Sequence, residues 1–438
     1  MSRPAPAPFA RAGLRALIRE RLEPLRPPNY RRVAAAMLIT NIGNGMQFIA
    51  NCLLVLRMTG SPRAVALVLF IGAIPGVFFG PFIGVAIDRF PRRWVFAAAD
   101  LTSVIVLAIT TVLVITGHLR TWEVFVMVFV LGLTQSTSIP TGTALVREIV
   151  PVDRLLAANS TTGVSIQLGN VVGTAMGGII IAASSVGWVL GINLVSFAAS
   201  ALFISGVKTD RVIVHERGEG WRASIDRAAA GLHYLRKHPS TLPSYLMVLL
   251  LFAVLYMMNT LVAPFATTVL NVGAGGMGLI DAMFALGAIA GGLVLPLLTA
   301  RMNRDPLAGF GVVGMGVALL LLGLSTGLAE PMLFYALAGF SFQSFYIFRT
   351  RVQEKVPVDI QGRVMALLIT SVGISSMVVY GTLAASVSSL VLRLIYFGCG
   401  AVLTGVGIAV TAAAFLKRKA MEPAGHEPPL VPAISADS

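Results

Sequence analysis

Two acidic side chains lie within long apolar stretches of the sequence. Asp281 falls inside the run 274–299 and Asp100 inside the run 94–116. A carboxylate among apolar residues is costly to keep charged, so it can bind and release a proton as its surroundings change. We therefore regard both residues as candidates for proton coupling. The alternative for Asp100, about two helical turns from a basic loop, is an ion pair with an arginine, and for Asp281 it is a solvated position near a helix end.

Amide side chains form a stripe in the first apolar run. Asn41, Asn44, Gln47 and Asn51 are spaced by three, three and four residues, which places them on one face of a helix. Amides that face hydrocarbon would leave polar groups unsatisfied, so they either bond to neighbouring helices or line a water-filled path. We interpret the stripe as one wall of a cavity for a small molecule, although a single amide more often joins two helices. Other apolar runs contribute Gln135, Gln167, Asn170, Asn259 and Gln343 to this predicted cavity.

A short charged segment and a set of regularly spaced glycines accompany these polar residues. The segment GVAIDRFPRR, residues 84–93, separates two apolar runs, and its charges can only lie at a membrane face. Glycine recurs every four residues in two runs, at Gly72, Gly76, Gly80 and Gly84, and at Gly169, Gly173 and Gly177. This spacing leaves a groove in which another helix approaches closely. The simplest interpretation is a tight helix crossing, which such spacing marks in many membrane proteins.

The composition requires that the elements carrying these residues cross a membrane. Hydrophobic residues make up 56% of the 438 residues and charged residues 12%, and the mean hydropathy is +0.84, whereas soluble domains have about 25% charged residues. A bilayer core needs about 20 apolar residues per helix, and helices satisfy their backbone groups internally. We predict an all-α integral membrane protein with twelve transmembrane helices, at 33–56, 64–87, 94–116, 122–146, 163–184, 186–207, 245–269, 274–299, 307–326, 332–348, 364–387 and 390–416.

The basic residues are distributed unevenly along this pattern. The net charge is +14, and 33 Lys and Arg are present. All of them fall on one side of the predicted membrane topology except Arg57, Arg63, Arg120 and Arg393. Because Lys and Arg are enriched in cytoplasmic loops, we predict that both termini lie in the cytoplasm. The excess of positive charge then reflects topology and contact with anionic lipids, so we expect a multi-pass protein of a bacterial plasma membrane and no nucleic-acid partner.

Short segments repeat between two parts of the chain. EIVPVD at 148–153 recurs as EKVPVD at 354–359, and GAIPG at 72–76 recurs as GAIAG at 287–291. Such repeats predict two six-helix, pseudo-symmetric halves. The predicted organisation is a cytoplasmic tail with either an interfacial helix or a flexible segment at 1–32, a first bundle at 33–207, a cytoplasmic linker with a helical pattern at 208–243, a second bundle at 244–416 and a disordered cytoplasmic tail at 417–438.

Several of these segments resemble the major facilitator superfamily of transporters. The charged loop at 84–93 is similar to the signature loop between the second and third helices of that superfamily. The stretches 57–93, 150–160 and 356–364 resemble the enterobactin-exporter-like subgroup of efflux proteins, the transmembrane secretion effectors. The resemblance implies export of small amphipathic molecules, drug-like or siderophore-like, by proton-coupled alternating access of two halves.

The resemblance also implies a gate and an exporter motif. At the gate, Asp88 would contact the end of the eleventh helix near Gly362, and this contact would break when the cytoplasmic side opens. Solvation of Asp88 in a charged turn is the alternative. GNVVGTAMGG, at 169–178, is similar to the fifth helix of exporters but has Thr174 where they have proline. The predicted gate residues are Gly84, Asp88, Arg89, Arg92, Gly362 and Arg363.

The sequence gives little support to other classes of protein. We expect no enzyme, because the five histidines lie in loops or tails and form no catalytic constellation, and no nucleotide-driven pump, because no GxxxxGK[ST] string occurs. Cys52 and Cys399 lie inside predicted spans, so we expect no metal site and no cofactor. The expected partners are membrane lipids, protons and a small-molecule substrate, and we expect a monomer. A facilitator or importer on the same scaffold is the alternative.

Overall fold

The computed structural model describes residues 27–151, 154–209 and 221–421. Within these residues the regular structure is helical, and none of them lies in a strand. The helices are, in chain order, α1 Pro28–Thr59, α2 Pro62–Phe78, α3 Gly80–Arg89, α4 Arg92–Ile115, α5 Thr121–Ile149, α6 Leu155–Ala183, α7 Val186–Ser205, α8 Trp221–Lys237, α9 Leu242–Pro264, α10 Gly273–Arg301, α11 Arg304–Leu324, α12 Ala329–Phe342, α13 Phe345–Lys355, α14 Val358–Ser386 and α15 Leu392–Met421.

Eleven helical stretches among the described residues are long and apolar enough to cross a membrane. One of them joins α9 to a π-helical turn, Phe265–Val269, and another joins α12 to α13. The apolar helix α2 is shorter, with 17 residues. The chain is therefore an all-helical, multi-spanning protein, as the sequence predicts, because only internally bonded helices satisfy the backbone in lipid.

The second predicted span, 64–87, is divided into the two helices α2 and α3 at Phe79. Pro81 follows the break, and its ring nitrogen has no hydrogen to donate to the carbonyl four residues earlier. The Phe79 amide still donates to the Pro75 carbonyl at 2.9 Å, so α2 ends in a regular turn. Helix α3 then continues toward the charged loop.

The ends of the first and last helices differ from the predicted boundaries. Helix α1 begins at Pro28, five residues before the predicted span, and Tyr30 is already buried there. Helix α15 continues to Met421, beyond the predicted end at 416. The predicted interfacial helix and most of the two predicted tails lie outside the described residues.

The helices pack in pairs that recur along the chain. In the first part α2 packs on α5, α4 on α7, and α1 on α6. In the second part α10 packs on α12, α11 on α15, and α9 on α14. The two most extensive contacts between these parts are those of α6 with α10 and of α2 with α14. The pairing in the first part therefore has a counterpart in the second, which agrees with the repeats in the sequence.

Helix α8, in the predicted linker, is attached to α14. A Cβ on Gly231 would lie 3.0 Å from the Arg363 carbonyl, so the two helices are in close contact. The Tyr234 hydroxyl donates to the Lys355 carbonyl at 3.0 Å, just before α14 begins. This part of the linker is therefore fixed to the second part of the molecule.

Candidate substrate cavity

A cavity of about 1750 Å³ lies where the two parts of the molecule meet. Its walls come from α1, α2, α3, α5, α6, α7, α9, α10 and α14. Six of the nine amide residues in the predicted cavity set line it: Asn44, Gln47, Asn51, Gln135, Asn170 and Asn259. Aromatic rings of Phe48, Tyr256 and Tyr380 add apolar surface beside these amides. The cavity thus offers both apolar surface and hydrogen-bonding groups.

The other three predicted amides lie elsewhere. Asn41 is buried and donates to the Met37 carbonyl of its own helix at 2.7 Å. At about 100° per residue its position is rotated by about 80° from that of Asn51, so the stripe does not keep a single face. Gln343 is buried at the break between α12 and α13. Gln167 lies on α6 but is not among the residues that line the cavity.

The two candidate carboxylates occupy different environments. Asp281, on α10, lines the cavity beside the hydroxyl of Thr174 on α6. Asp100, on α4, is 0% exposed, does not line the cavity and lies beside Ser200 on α7. Neither oxygen of Asp100 has a hydrogen-bond partner, so the predicted alternative of an arginine ion pair is not formed.

The predicted gate residues surround one end of the cavity. Gly84, Gly362 and Arg363 line it, and a Cβ on either glycine would meet nothing within 4 Å. Arg89 is exposed at the end of α3, and Asp88 belongs to the same helix. At Gly84 and Gly362 the described residues therefore leave this end of the cavity open.

Basic and acidic residues join helix ends near the same end of the molecule. Arg92 donates to the Ala144 carbonyl at 2.8 Å and lies 3.8 Å from Glu148. In the second part of the chain, Arg304 pairs with Glu354 at 3.0 Å. Arg92 therefore joins the start of α4 to the end of α5, and the Arg304 pair joins the start of α11 to the end of α13.

The two glycine stripes differ in what they contact. Along α6, a Cβ on Gly169, Gly173 or Gly177 would come within 3.0 Å of α1, and at Gly173 the Ile42 carbonyl would be 2.1 Å away. In the other stripe, Gly72 and Gly76 face α5, where a Cβ on Gly132 would lie 2.4 Å from the Gly72 carbonyl. Gly80, like Gly84, has open space beside it. The predicted packing contact at Gly80 is thus not formed in this conformation.

The opposite end of the molecule is closed by contacts between its two parts. A Cβ on Gly178 of α6 would lie 2.8 Å from the Cα of Gly278 on α10. The Arg63 side chain, at the start of α2, donates to the Val387 carbonyl after α14 at 3.2 Å. The cavity is therefore open toward Gly84 and Gly362 and sealed toward Gly178 and Gly278.

A family model described as transmembrane secretion effector matches residues 20–436. The chain belongs to this family. The MFS-type transporter YfiS of Bacillus subtilis (strain 168) is 24% identical over 396 residues, covering 85% of this chain and 90% of YfiS. The multidrug efflux pump Tap of Mycolicibacterium fortuitum is 25% identical over 341 residues, 76% of this chain and 83% of Tap. Macrolide efflux protein A of Streptococcus pyogenes is 23% identical over 318 residues, 70% and 77% of the two chains.

Solved structures of transporters share the fold of this transmembrane secretion effector. The nucleoside transporter NupG superposes with a TM-score of 0.66 at 14% identity, over 87% of this chain and 98% of NupG. An auto-inhibited peptide transporter of the POT family gives a TM-score of 0.62 at 15% identity, over 92% and 99% of the two chains. The predicted resemblance to the major facilitator superfamily is confirmed, and so is the prediction of a transporter rather than an enzyme.

One polar residue of this transmembrane secretion effector was not predicted from the sequence. Asn193 on α7 is 0% exposed, and its amide donates to the Gln47 carbonyl oxygen at 2.9 Å. The Gln47 amide donates in turn to Asn51 at 2.7 Å. This chain of amides connects α7 to the cavity wall. A single amide inside the apolar run 186–207 was the signal available in the sequence, because a buried amide needs a partner.

Proposed function

We propose that this transmembrane secretion effector exports small amphipathic molecules in exchange for protons, by alternating access. The observation that supports this most directly is the position of Asp281. It is the acidic residue among those described that line the cavity, and amides and aromatic rings surround it. A carboxylate in such a site can bind either a proton or the cargo, and the one can replace the other.

The architecture behind this proposal is twelve spans in two six-helix halves. Helices α2 and α3 together would form the second span, since they follow each other with Phe79 between them. The recurrent helix pairs and the repeated sequence segments support the two halves. The asymmetric distribution of Lys and Arg supports cytoplasmic termini, so the open end faces the cytoplasm.

The cargo class follows from the cavity lining and from the relatives. Apolar and aromatic walls bind the apolar part of a ligand, and a few placed polar groups orient it. Two of the relatives are named for efflux of macrolides and of multiple drugs. Both arguments favour an amphipathic, drug-like molecule that enters the cavity from the cytoplasmic side.

The gate lies at the open end. When it closes, Asp88 on α3 would meet the amino-terminal end of α14, which begins at Val358. A helix amino terminus carries partial positive charge and attracts a carboxylate. Arg89 and Arg92 hold the neighbouring helix ends at the membrane face. The contact would form only after Gly84 and Gly362 approach each other.

Asp281 is the better proton site of the two candidate carboxylates. A coupling site must be reached by water and by the cargo, and Asp281 lines the open cavity whereas Asp100 does not. Asp100 lies between α4 and α7, away from the residues that line the cavity. A structural role for Asp100 therefore explains its position.

The test is uptake of a fluorescent lipophilic cation by everted membrane vesicles under an imposed proton gradient. Asp281→Asn is expected to abolish proton-driven uptake, because the amide cannot bind and release a proton. Asp281→Glu, which keeps a carboxylate, and Asp100→Asn are expected to retain it. Proton-driven uptake that survives in Asp281→Asn would remove Asp281 from coupling. Uptake of the same size without any gradient would favour a facilitator.

A further inference from the structure

The closed seam between the two parts of the molecule passes directly beside Asp281. A Cβ on Gly278 of α10 would lie 2.6 Å from the carbonyl of Thr174 on α6, so the two backbones touch. Asp281 follows Gly278 by three residues and therefore projects from the same side of α10. Both Thr174 and Asp281 line the cavity at this crossing, and the Thr174 hydroxyl lies beside the carboxyl.

The Thr174 hydroxyl donates to the Val171 carbonyl of its own helix at 3.2 Å. The Asp281 carboxyl lies beside it across the seam and is a second acceptor toward which the same hydroxyl can turn. A hydroxyl donates one hydrogen and accepts through its lone pairs. When Asp281 is ionised, Thr174 donates across the seam. When Asp281 carries a proton, Asp281 donates to Thr174 and the threonine hydrogen turns to Val171.

These two arrangements differ in strength. A hydrogen bond to an ionised carboxylate is roughly twice as strong as one between neutral groups. The bond across the seam is thus stronger while Asp281 is empty and charged. Binding of a proton removes the negative charge of Asp281, and binding of a cationic group of the cargo would neutralise that charge.

We propose that Thr174 is a positioning residue that makes the closed end of the molecule respond to the charge of Asp281. This rests on the proposed role of Asp281 in proton coupling. The empty, ionised carrier keeps the α6–α10 seam closed, and binding of a proton or of a cationic cargo group releases it. A transporter that cannot open this end while neither a proton nor cargo is bound would not carry out transport without exchange.

The other groups around Asp281 do not replace this contact. From the described elements packed against α10, the titratable neighbours that act on Asp281 or respond to it are Cys52 on α1 and Tyr335 on α12. Tyr256 on α9 and Arg363 on α14 line the same cavity, with Arg363 at its open end. The thiol and the phenols are neutral in their ordinary protonated forms. Thr174 is thus the partner that lies across the seam itself.

The experiment measures, as a function of pH, how fast a cysteine at the closed end is modified relative to the exposed control cysteine Arg57→Cys, because only the thiolate reacts and the thiolate fraction itself falls on acidification. Val387→Cys is placed in a chain with Cys52→Ala and Cys399→Ala, because Val387 is 1% exposed and lies on the other seam, beside Arg63. With Thr174 present, this relative rate is expected to be low at alkaline pH and higher on acidification. Thr174→Val, which keeps the shape and removes the hydroxyl, is expected to raise the alkaline rate roughly five- to tenfold and to remove the pH dependence. Thr174→Ser is expected to restore it.

The variants separate the two proposals. If Asp281→Asn removes the pH dependence but Thr174→Val leaves it intact, Asp281 stands as the proton site and the role of Thr174 is wrong. If Asp281→Asn keeps both the pH dependence and proton-driven uptake, Asp281 is not the coupling site, and the proposals for Asp281 and for Thr174 are both wrong. Thr174→Ala serves in place of Thr174→Val if the valine variant does not fold, with the same expected outcome.

Discussion

The two ends of the central seam are built in opposite ways. At the closed end, α6 and α10 meet backbone to backbone at Gly178 and Gly278. At the open end, no atom of another helix lies within 4 Å of the position that a Cβ on Gly84 or Gly362 would occupy. Glycine therefore occurs at both ends, but only one end uses it for contact in this conformation.

The second seam shows how this difference develops along the molecule. Between α2 and α14, Arg63 contacts Val387 at the closed end, and Val77 approaches Gly373 further along. Among the described residues, nothing comes within 4 Å of a Cβ placed on Gly84. The two helices are thus in contact along α2 but not at Gly84, and the same glycine spacing accompanies a packed interface in one part and an open one in the other.

The largest expected effect comes from adding one methyl group at the closed end. In Gly278→Ala the new Cβ would lie 2.6 Å from the Thr174 carbonyl, so the helices must separate. Overpacking of this kind costs about 1–3 kcal/mol. We expect a clearly lower melting temperature in detergent, measured by tryptophan fluorescence, and loss of transport.

The matched control is the same substitution at the open end. Gly84→Ala adds a methyl group where nothing lies within 4 Å, and replacing glycine inside a helix stabilises it by about 0.5–1 kcal/mol. Its melting temperature should be unchanged or higher. Equal destabilisation by the two substitutions would contradict the difference between the ends.

An intermediate effect is expected for the accessibility of the two ends. Ala366 is exposed and lines the open part of the cavity, whereas Val387 is buried at the closed end. In the cysteine-free chain, Ala366→Cys should react with a membrane-impermeant maleimide much faster than Val387→Cys. Reaction of Ala366→Cys only from the cytoplasmic side would also fix the orientation, while equal rates would mean that the cavity is not closed at one end.

The smallest effect is expected at Arg63. Arg63→Ala removes the hydrogen bond to the Val387 carbonyl, which contributes about 0.5–1.5 kcal/mol. The closed end should open slightly more often, which a small rise in the modification rate of Val387→Cys would detect. Arg57→Ala, at an exposed arginine near the same end, is the control. A rate that rises equally in both variants would assign no role to the Arg63 contact.

The sequence predicts the spans and the family because each depends on local properties. Runs of about 20 apolar residues mark spans regardless of how they pack. The helical pattern in the linker likewise corresponds to α8. The break at Phe79 was not predicted, although Pro81 provided a local signal for it.

The cavity was harder to predict because it depends on which helices meet. Asn44, Gln47 and Asn51 line it, but Asn41 on the same stripe bonds to its own helix instead. Asn193 supports Gln47 from α7, and no spacing within α1 reveals that partner. The contrast between Gly76 and Gly80 similarly arises from the tertiary arrangement rather than from the sequence around them.

Because α8 is attached to α14, a movement of α14 also moves the linker, as a lever moves about a fixed point. The contact at Gly231 is the fulcrum, and the first residue of α8 lies ten residues earlier, about 15 Å away along the helix axis. A tilt of α14 by about 10° would move the first residue of α8 by roughly 3 Å. A small rotation at the open end of the cavity is thus converted into a displacement on the surface of the protein, where a lipid headgroup or another protein can oppose it.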